Sequence, residues 1–350
     1  MIKRLGRKLL SLGMIGVMLS SSLLGCGSNK KEELNILNWT EYLPEEVIQK
    51  FEEEYDVKIN YNTYSSTGEM LSKVETAAPG TYDLIIGAGV KTLAEENLLV
   101  ELDKSKIPNF DNISDVYLGQ EFDPENKYSV PYSLAGATIC YDSDVIKDEI
   151  TSYKDLLDPK YKDSLILVDD SRAVIGMALL ACGYSLNETD DAHLQEAKEF
   201  LLELKPNIKA FNSDSPKTSM ITGETSLGVI YTAEATLAMR EKNSIKVVYP
   251  DEGIYYGIDS FSITKDAKNE DLAYKFIDFV LRPEISKIVT ENFPYKNPNK
   301  AAEDLLPEEY LTNPACNIPE EVLDKNDACV DVDAETLAKY DKIWSEFKSN

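Results

Sequence analysis

LNILNWTEYLPEEVIQKFEEEYDVKINYN, residues 34–62, reads as strand, helix, strand. Leu34-Asn35-Ile36-Leu37 is a short apolar strand. Pro44 then opens a helix, since a proline loses nothing where the first helical N–H has no partner. Ile48, Phe51 and Tyr55 fall at i, i+3 and i+7, on one face of that helix. Val57, Ile59 and Tyr61 alternate with Lys58, Asn60 and Asn62, the pattern of a half-buried strand. A second helix over about residues 69–78 and a strand over 82–86 repeat the unit. Such alternation predicts an α/β lobe with a largely parallel sheet.

The pattern changes over residues 128–141, where Val130-Pro131-Tyr132 reads as a crossing segment. A second set follows: a strand at 165–168, helices at 173–181 and 197–204, and strands at 227–231 and 246–249. A strand at 260–264 and a helix at 272–281, stopped by Pro283, return to the first lobe. The expectation is an α/β protein of two lobes with a hinge and a cleft between them. Residues 33–132 plus 260–303 make the N-terminal lobe, and 133–259 plus 304–350 the C-terminal lobe. Such clefts commonly hold small molecules and close around them.

Ahead of this body, Lys3, Arg4, Arg7 and Lys8 precede an apolar run over residues 9–24 and then Leu23-Leu24-Gly25-Cys26. A charged start, a short apolar core and small residues at the end describe a secretory signal. The run is broken by Ser11, Gly13, Gly16 and residues 20–22, and falls short of the roughly 20 apolar residues that span a bilayer. Cys26 after Leu-Leu-Gly resembles the lipobox of bacterial lipoproteins. The resemblance implies cleavage before Cys26 and a diacylglycerol on its sulfur, with residues 26–32 as a lipidated tether. A transmembrane anchor and an ordinary cleaved signal are the competing readings.

The formal charge of the chain is −26, and loss of residues 1–25 removes four positive charges and no acidic ones, leaving −30. So acidic a surface repels nucleic acid and attracts cations over a distance. Four cysteines remain: Cys140 and Cys182 in apolar segments, expected as buried thiols, and Cys316 and Cys329 in a polar stretch where an exported protein could form a bridge. The only histidine is His193, and no CxxC spacing occurs, so neither a metal nor a cofactor is expected.

No GxSxG, P-loop or GxGxxG motif supports an enzyme. Binding has better material. Asn38-Trp39-Thr40-Glu41-Tyr42 sits where the first strand ends, and ligands of open α/β sheets collect beyond the carboxyl ends of strands. An indole, a hydroxyl, a carboxylate and a phenol offer a cation both a π face and a charge partner. Equally, Trp39 could pack on the helix with Glu41 solvated. Asp169-Asp170-Ser171-Arg172 lies between a strand and a helix, where one acid can cap the helix while its neighbour faces the cleft. Asp259 follows Tyr255-Tyr256-Gly257-Ile258 at a crossing between lobes.

These motifs, with Ala210-Phe211-Asn212-Ser213-Asp214, Leu281-Arg282-Pro283-Glu284, Tyr153-Lys154-Asp155-Leu156-Leu157 and Tyr295-Lys296-Asn297-Pro298-Asn299, resemble the spermidine/putrescine-binding proteins of bacterial polyamine ABC importers. The similarity spans roughly residues 34–348. It implies a two-lobed periplasmic-binding-protein fold, a polyamine ligand, no catalysis, and permease and ATPase partners at the outer face of the cell membrane. It also implies a ligand site made of Trp39, Thr40, Glu41, Tyr42, Asp170, Ser213, Tyr231, Asp259 and Tyr295. Tyr231 stands where the family commonly has tryptophan. Ala173 replaces a frequent glutamate, Gly257 an aromatic wall, and the loop at residues 87–90 is short of its usual Ser and Tyr. No counterpart of a further polar ligand residue is seen near Cys329-Val330. Three readings therefore remain: a polyamine held by fewer acids, a different small solute on the same scaffold, or a surface lipoprotein with no transported ligand.

Overall fold

The computed structural model describes residues 31–40 and 42–349; Cys26, the expected signal at residues 1–25 and Glu41 lie outside the described residues. In chain order the elements are β1 (Glu33–Trp39), α1 (Glu45–Tyr55), β2 (Lys58–Tyr64), α2 (Thr67–Thr76), β3 (Leu84–Gly87), α3 (Val90–Glu95) and β4 (Val130–Asp142). Then come β5 (Leu165–Leu167), α4 (Ser171–Cys182), α5 (Asp191–Leu204), β6 (Ile208–Phe211), α6 (Pro216–Thr222), β7 (Leu227–Tyr231) and α7 (Thr232–Glu241). The chain continues through β8 (Ile245–Val248), β9 (Tyr255–Ile263), α8 (Glu270–Val280), α9 (Pro283–Asn292) and a C-terminal helix, Ala334–Ser349.

The strands form one curled sheet in the order β2-β1-β3-β9-β4-β7-β5-β6, with β8 also paired to β4. Its two ends are parallel: β1 pairs with β2 and β3, and β5 with β6 and β7. The middle is antiparallel. β9 pairs with β3 over Ser260–Ile263 and with β4 over Tyr255–Phe261, while β4 runs on to pair with β7 and β8. β4 and β9 are thus the crossings, with an irregular register between Pro131 and Ser133.

Alternation along the strands explains why each end carries two cores. Leu34, Ile36, Leu84 and Ile86 point into one cluster, and Leu37 and Ile85 into another on the opposite face. At the far end Leu165, Leu167, Leu227 and Val229 fill one cluster while Ile166 and Ile230 fill the other. A parallel sheet covered on both faces needs this near-continuous apolar sequence. Fully burying each such side chain contributes about 1.5–3 kcal/mol, which dominates the stability of both ends. The C-terminal segment serves both: Ile318 and Val322 join the first cluster, Tyr340, Ile343 and Phe347 the second.

Strand β6 and the C-terminal helix are additions to the sequence reading. β6 is only four residues long and half-buried, too short for a period to register. Pro283 does stop α8, and it then starts α9 at once. All four described cysteines are free. Cys316 is buried beside the Tyr295 carbonyl at 3.8 Å, whereas Cys329 Sγ lies 3.3 Å from the Arg172 guanidinium. Their different neighbours leave unformed the bridge that the sequence allowed, and Cys182 is half-buried rather than buried.

Candidate functional site

Loops leaving the carboxyl ends of the parallel strands converge on one cavity of about 450 Å³. Trp39 ends β1, Gly87 ends β3, Asp169 and Asp170 follow β5, Ser213 follows β6, and Tyr231 ends β7. The crossing strand β9 adds Asp259, opposite Ser133 of β4. Tyr295 arrives on the segment after α9, which is tied to β4 by the Leu134 N–H to Lys296 carbonyl bond, 3.0 Å. Trp39, Thr40, Tyr42, Asp170, Ser213, Tyr231, Asp259 and Tyr295 all line this cavity. Eight of the nine expected residues therefore come together; the ninth, Glu41, is outside the described residues.

Asp259 is 8 % exposed, and its Oδ2 accepts the Tyr42 hydroxyl at 2.8 Å. Tyr42 is held in turn. Its carbonyl accepts the Tyr132 hydroxyl at 2.6 Å, and its ring meets Tyr132 and Tyr295 edge-on at 5.4 Å each. Burial pushes the Asp259 carboxyl up to about 6. The Tyr42 hydroxyl and the Trp39 indole oppose that rise, and the charge of Asp170 adds to it. The Trp39 N–H is buried with no hydrogen-bond partner of ordinary geometry, and it lies close enough to Asp259 to hold its carboxyl down. Burial raises the Tyr42 and Tyr231 phenols well above their ordinary value, which keeps both as proton donors.

Asp170 has a different setting. One oxygen caps α4 by accepting the Ala173 N–H at 3.0 Å; the other accepts the Tyr231 hydroxyl at 3.1 Å. The expected division of labour between the two adjacent acids is thus corrected: Asp170 both caps and faces the cavity. Asp169 instead binds Lys348 of the C-terminal helix at 2.5 Å, and its backbone N–H goes to Ser213 Oγ at 2.8 Å.

Among the described residues seven carboxylates line the cavity against two cationic side chains, Arg172 and Lys217, so the site favours positive charge. Arg172 donates to the Val330 carbonyl at 3.0 Å and stacks on Tyr340 at 4.6 Å. Tyr249 and Tyr256 point elsewhere, donating to the carbonyls of Pro314 and of Leu323 and Asn326.

Residues 46–318 match the bacterial extracellular solute-binding protein family. The chain belongs to that family. It is 36 % identical, over 99 % of both chains, to the spermidine/putrescine-binding periplasmic protein of Salmonella typhimurium. Its fold matches the crystal structure of a spermidine/putrescine ABC transporter substrate-binding protein from Streptococcus pneumoniae, with a TM-score of 0.78 and 34 % identity over 91 % of this chain and 99 % of the other. A lipoprotein of Treponema pallidum is similar at a TM-score of 0.80 and 28 % identity, over 91 % of this chain and all of the other. The two-lobed α/β fold expected from the sequence is the fold of these neighbours.

Within this solute-binding protein the altered positions have clear physical settings. A Cβ on Gly257 would meet only Cys329 Cβ, at 3.9 Å, so the missing side chain leaves open space. Tyr255 shares the Gly257 face of β9, two residues away, but its ring packs against Gly176 of α4. At Gly87 the reason is the reverse: a Cβ would lie 1.9 Å from the Tyr64 hydroxyl, which donates to the Ile86 carbonyl at 2.7 Å. The Cys329–Val332 segment completes the wall, and Asp331 reaches α3, accepting the Thr92 N–H at 3.1 Å and hydroxyl at 3.2 Å. Sequence reasoning missed Tyr64, Lys217 and Glu234 among the residues that line the cavity. Tyr255, in the aromatic stretch just ahead of Asp259, lines it too.

Proposed function

We propose that this protein captures a polyamine, foremost a diamine of the putrescine type, in the cavity and delivers it to an ABC importer. The observation that carries the reading is Asp259: a buried carboxylate with a phenol and an indole for company and, among the described residues, no cationic partner. An ionised group so placed is costly unless paired, and an alkylammonium is the partner that the surroundings can accept. Tyr42, Tyr231 and Tyr295 then flank the methylenes, and Asp170 takes the second ammonium. Ser213 acts through the Asp169 backbone it holds, and Trp39 supplies a π face beside Asp259. Thr40 lines the cavity next to Trp39, and Glu41, outside the described residues, enters the reading from the resemblance alone.

The relatives support a transport role with permease and ATPase partners rather than catalysis. His193, the chain's one histidine, stacks on Tyr184 at 3.8 Å and is no part of the cavity wall. Among the described residues no helix is long and apolar enough to cross a membrane. A lipid on Cys26 would provide the tether, holding the receptor on the outer face of the membrane beside its permease. Lobes of residues 33–132 plus 260–303 and 133–259 plus 304–350 would close on the ligand by bending at β4 and β9.

A second reading, the same scaffold holding another small solute, draws on Ala173 and on the open space at Gly257. Thermal-shift and calorimetric titration of residues 32–350 with putrescine, cadaverine, spermidine and spermine decide between them. A ligand that binds only the native state must raise its melting temperature. The polyamine reading expects saturable stabilisation by putrescine or cadaverine. Absence of any shift with all four amines would overturn it.

A further inference from the structure

Two pairs of charges subtract from the acidity of the cavity. Lys348 occupies Asp169 at its edge, and deeper in, Lys217 Nζ sits on both oxygens of Glu234 at 2.8 and 3.0 Å. The latter side chains are 22 % and 12 % exposed, so this pair is largely shielded from water. Glu234 lies on the first turn of α7, three residues beyond Tyr231, and Lys217 near the start of α6. Both line the cavity. The Tyr295 ring is within electrostatic reach of Glu234 as well as of Asp259, which links the pair to the deep acid.

The chemistry of Lys217 is the telling feature. Its head is a primary ammonium on an alkyl stem, the same group that ends a diamine. We infer that Lys217 acts as a built-in substitute for a ligand's third ammonium and that the Lys217–Glu234 pair thereby sets the length of amine the site accepts. With Glu234 held by Lys217 and Asp169 by Lys348, Asp259 and Asp170 are the acids bonded to the cavity's tyrosines, matching a dication. A triamine's third ammonium then meets only the exposed Asp214 and Asp341 or the Thr92-bonded Asp331, unless it expels Lys217 from Glu234. This inference rests on the polyamine reading and refines it.

The test uses residues 32–350 and calorimetry with putrescine and spermidine. Lys217→Met keeps the stem and removes the charge, so spermidine affinity should rise about fivefold or more, the scale of a shielded ion pair, with putrescine within about twofold of the parent. Glu234→Gln should act oppositely. It frees the Lys217 charge to repel a third ammonium, lowering spermidine affinity by a similar factor and leaving putrescine little changed. The double variant should lose the gain seen with Lys217→Met. Should Lys217→Met fold poorly, Glu234→Gln alone retains the test, because its effect must fall on spermidine and not on putrescine. An unchanged spermidine-to-putrescine ratio in both single variants would overturn the inference while leaving the polyamine reading intact. Failure of the parent protein to bind either amine would remove both.

Discussion

Asp259 and Asp170 are the same side chain in two different solvents. Asp259 sits on a crossing strand, walled by Tyr42, Tyr132 and Tyr295, with one hydrogen bond from a phenol. Asp170 is half-buried at a helix start, where a backbone N–H and the Tyr231 hydroxyl already satisfy it. A cation arriving at Asp259 relieves an existing cost; one arriving at Asp170 competes with bonds that work without it. If the cleft takes a diamine as proposed, the contrast assigns most of the binding energy to the buried acid, Asp259, and orientation to the well-supported one, Asp170.

Asp259→Asn tests the first half and carries the largest effect. Truncating one partner of a buried charge pair costs roughly 2–5 kcal/mol, so putrescine affinity should fall by about a hundredfold or more in calorimetry. The ligand-free protein should move the other way. Asp259 titrates at about 6 in the fold, against about 4 in an unfolded chain. The native state therefore holds the extra proton between these values, and this residue's contribution to stability is lost as pH rises through 6. Ionisation at pH 7 costs on the order of 3 kcal/mol, so Asp259→Asn should raise the melting temperature there and flatten the profile between about pH 4 and 6. Diamine affinity of the parent should weaken as pH drops below about 6, because the ligand must first displace that proton. A variant that loses binding without gaining stability would break the contrast.

The second half predicts smaller changes. Asparagine caps a helix as well as aspartate, so Asp170→Asn should cost about tenfold in affinity with an unaltered melting temperature, whereas Asp170→Ala should also lose about 1 kcal/mol of stability. Equal losses of affinity for Asp170→Asn and Asp259→Asn would erase the difference between the sites. Smallest of all is Tyr231→Phe. It removes one hydroxyl from Asp170, for about 0.5–1.5 kcal/mol in binding, read by calorimetry against the parent.

Much of this architecture was legible in the amino-acid sequence because it rests on short-range regularities. Alternation in Val57-Lys58-Ile59-Asn60-Tyr61 and the apolar run at Leu34 specify strands, since a pleated chain sends successive side chains to opposite faces. Acids after β5 and an aromatic cluster after β1 marked two walls of the cleft by their place at strand ends. The motif order from Trp39 to Tyr295 pointed to the family that the comparisons bear out. What sequence distance hides is pairing. Tyr42 and Asp259 are 217 residues apart, yet share a 2.8 Å bond that only the crossing of β9 creates. Burial of that bond, and with it the high pKa of Asp259, depends on Tyr132 and Tyr295 arriving from two further segments. The free state of Cys316 and Cys329, the double duty of Asp170 and the neutralisation of Glu234 by Lys217 are likewise outcomes of packing. Composition and period act through neighbours along the chain, whereas charge, solvation and hydrogen bonding act through space, and space is assigned only when the sheet closes.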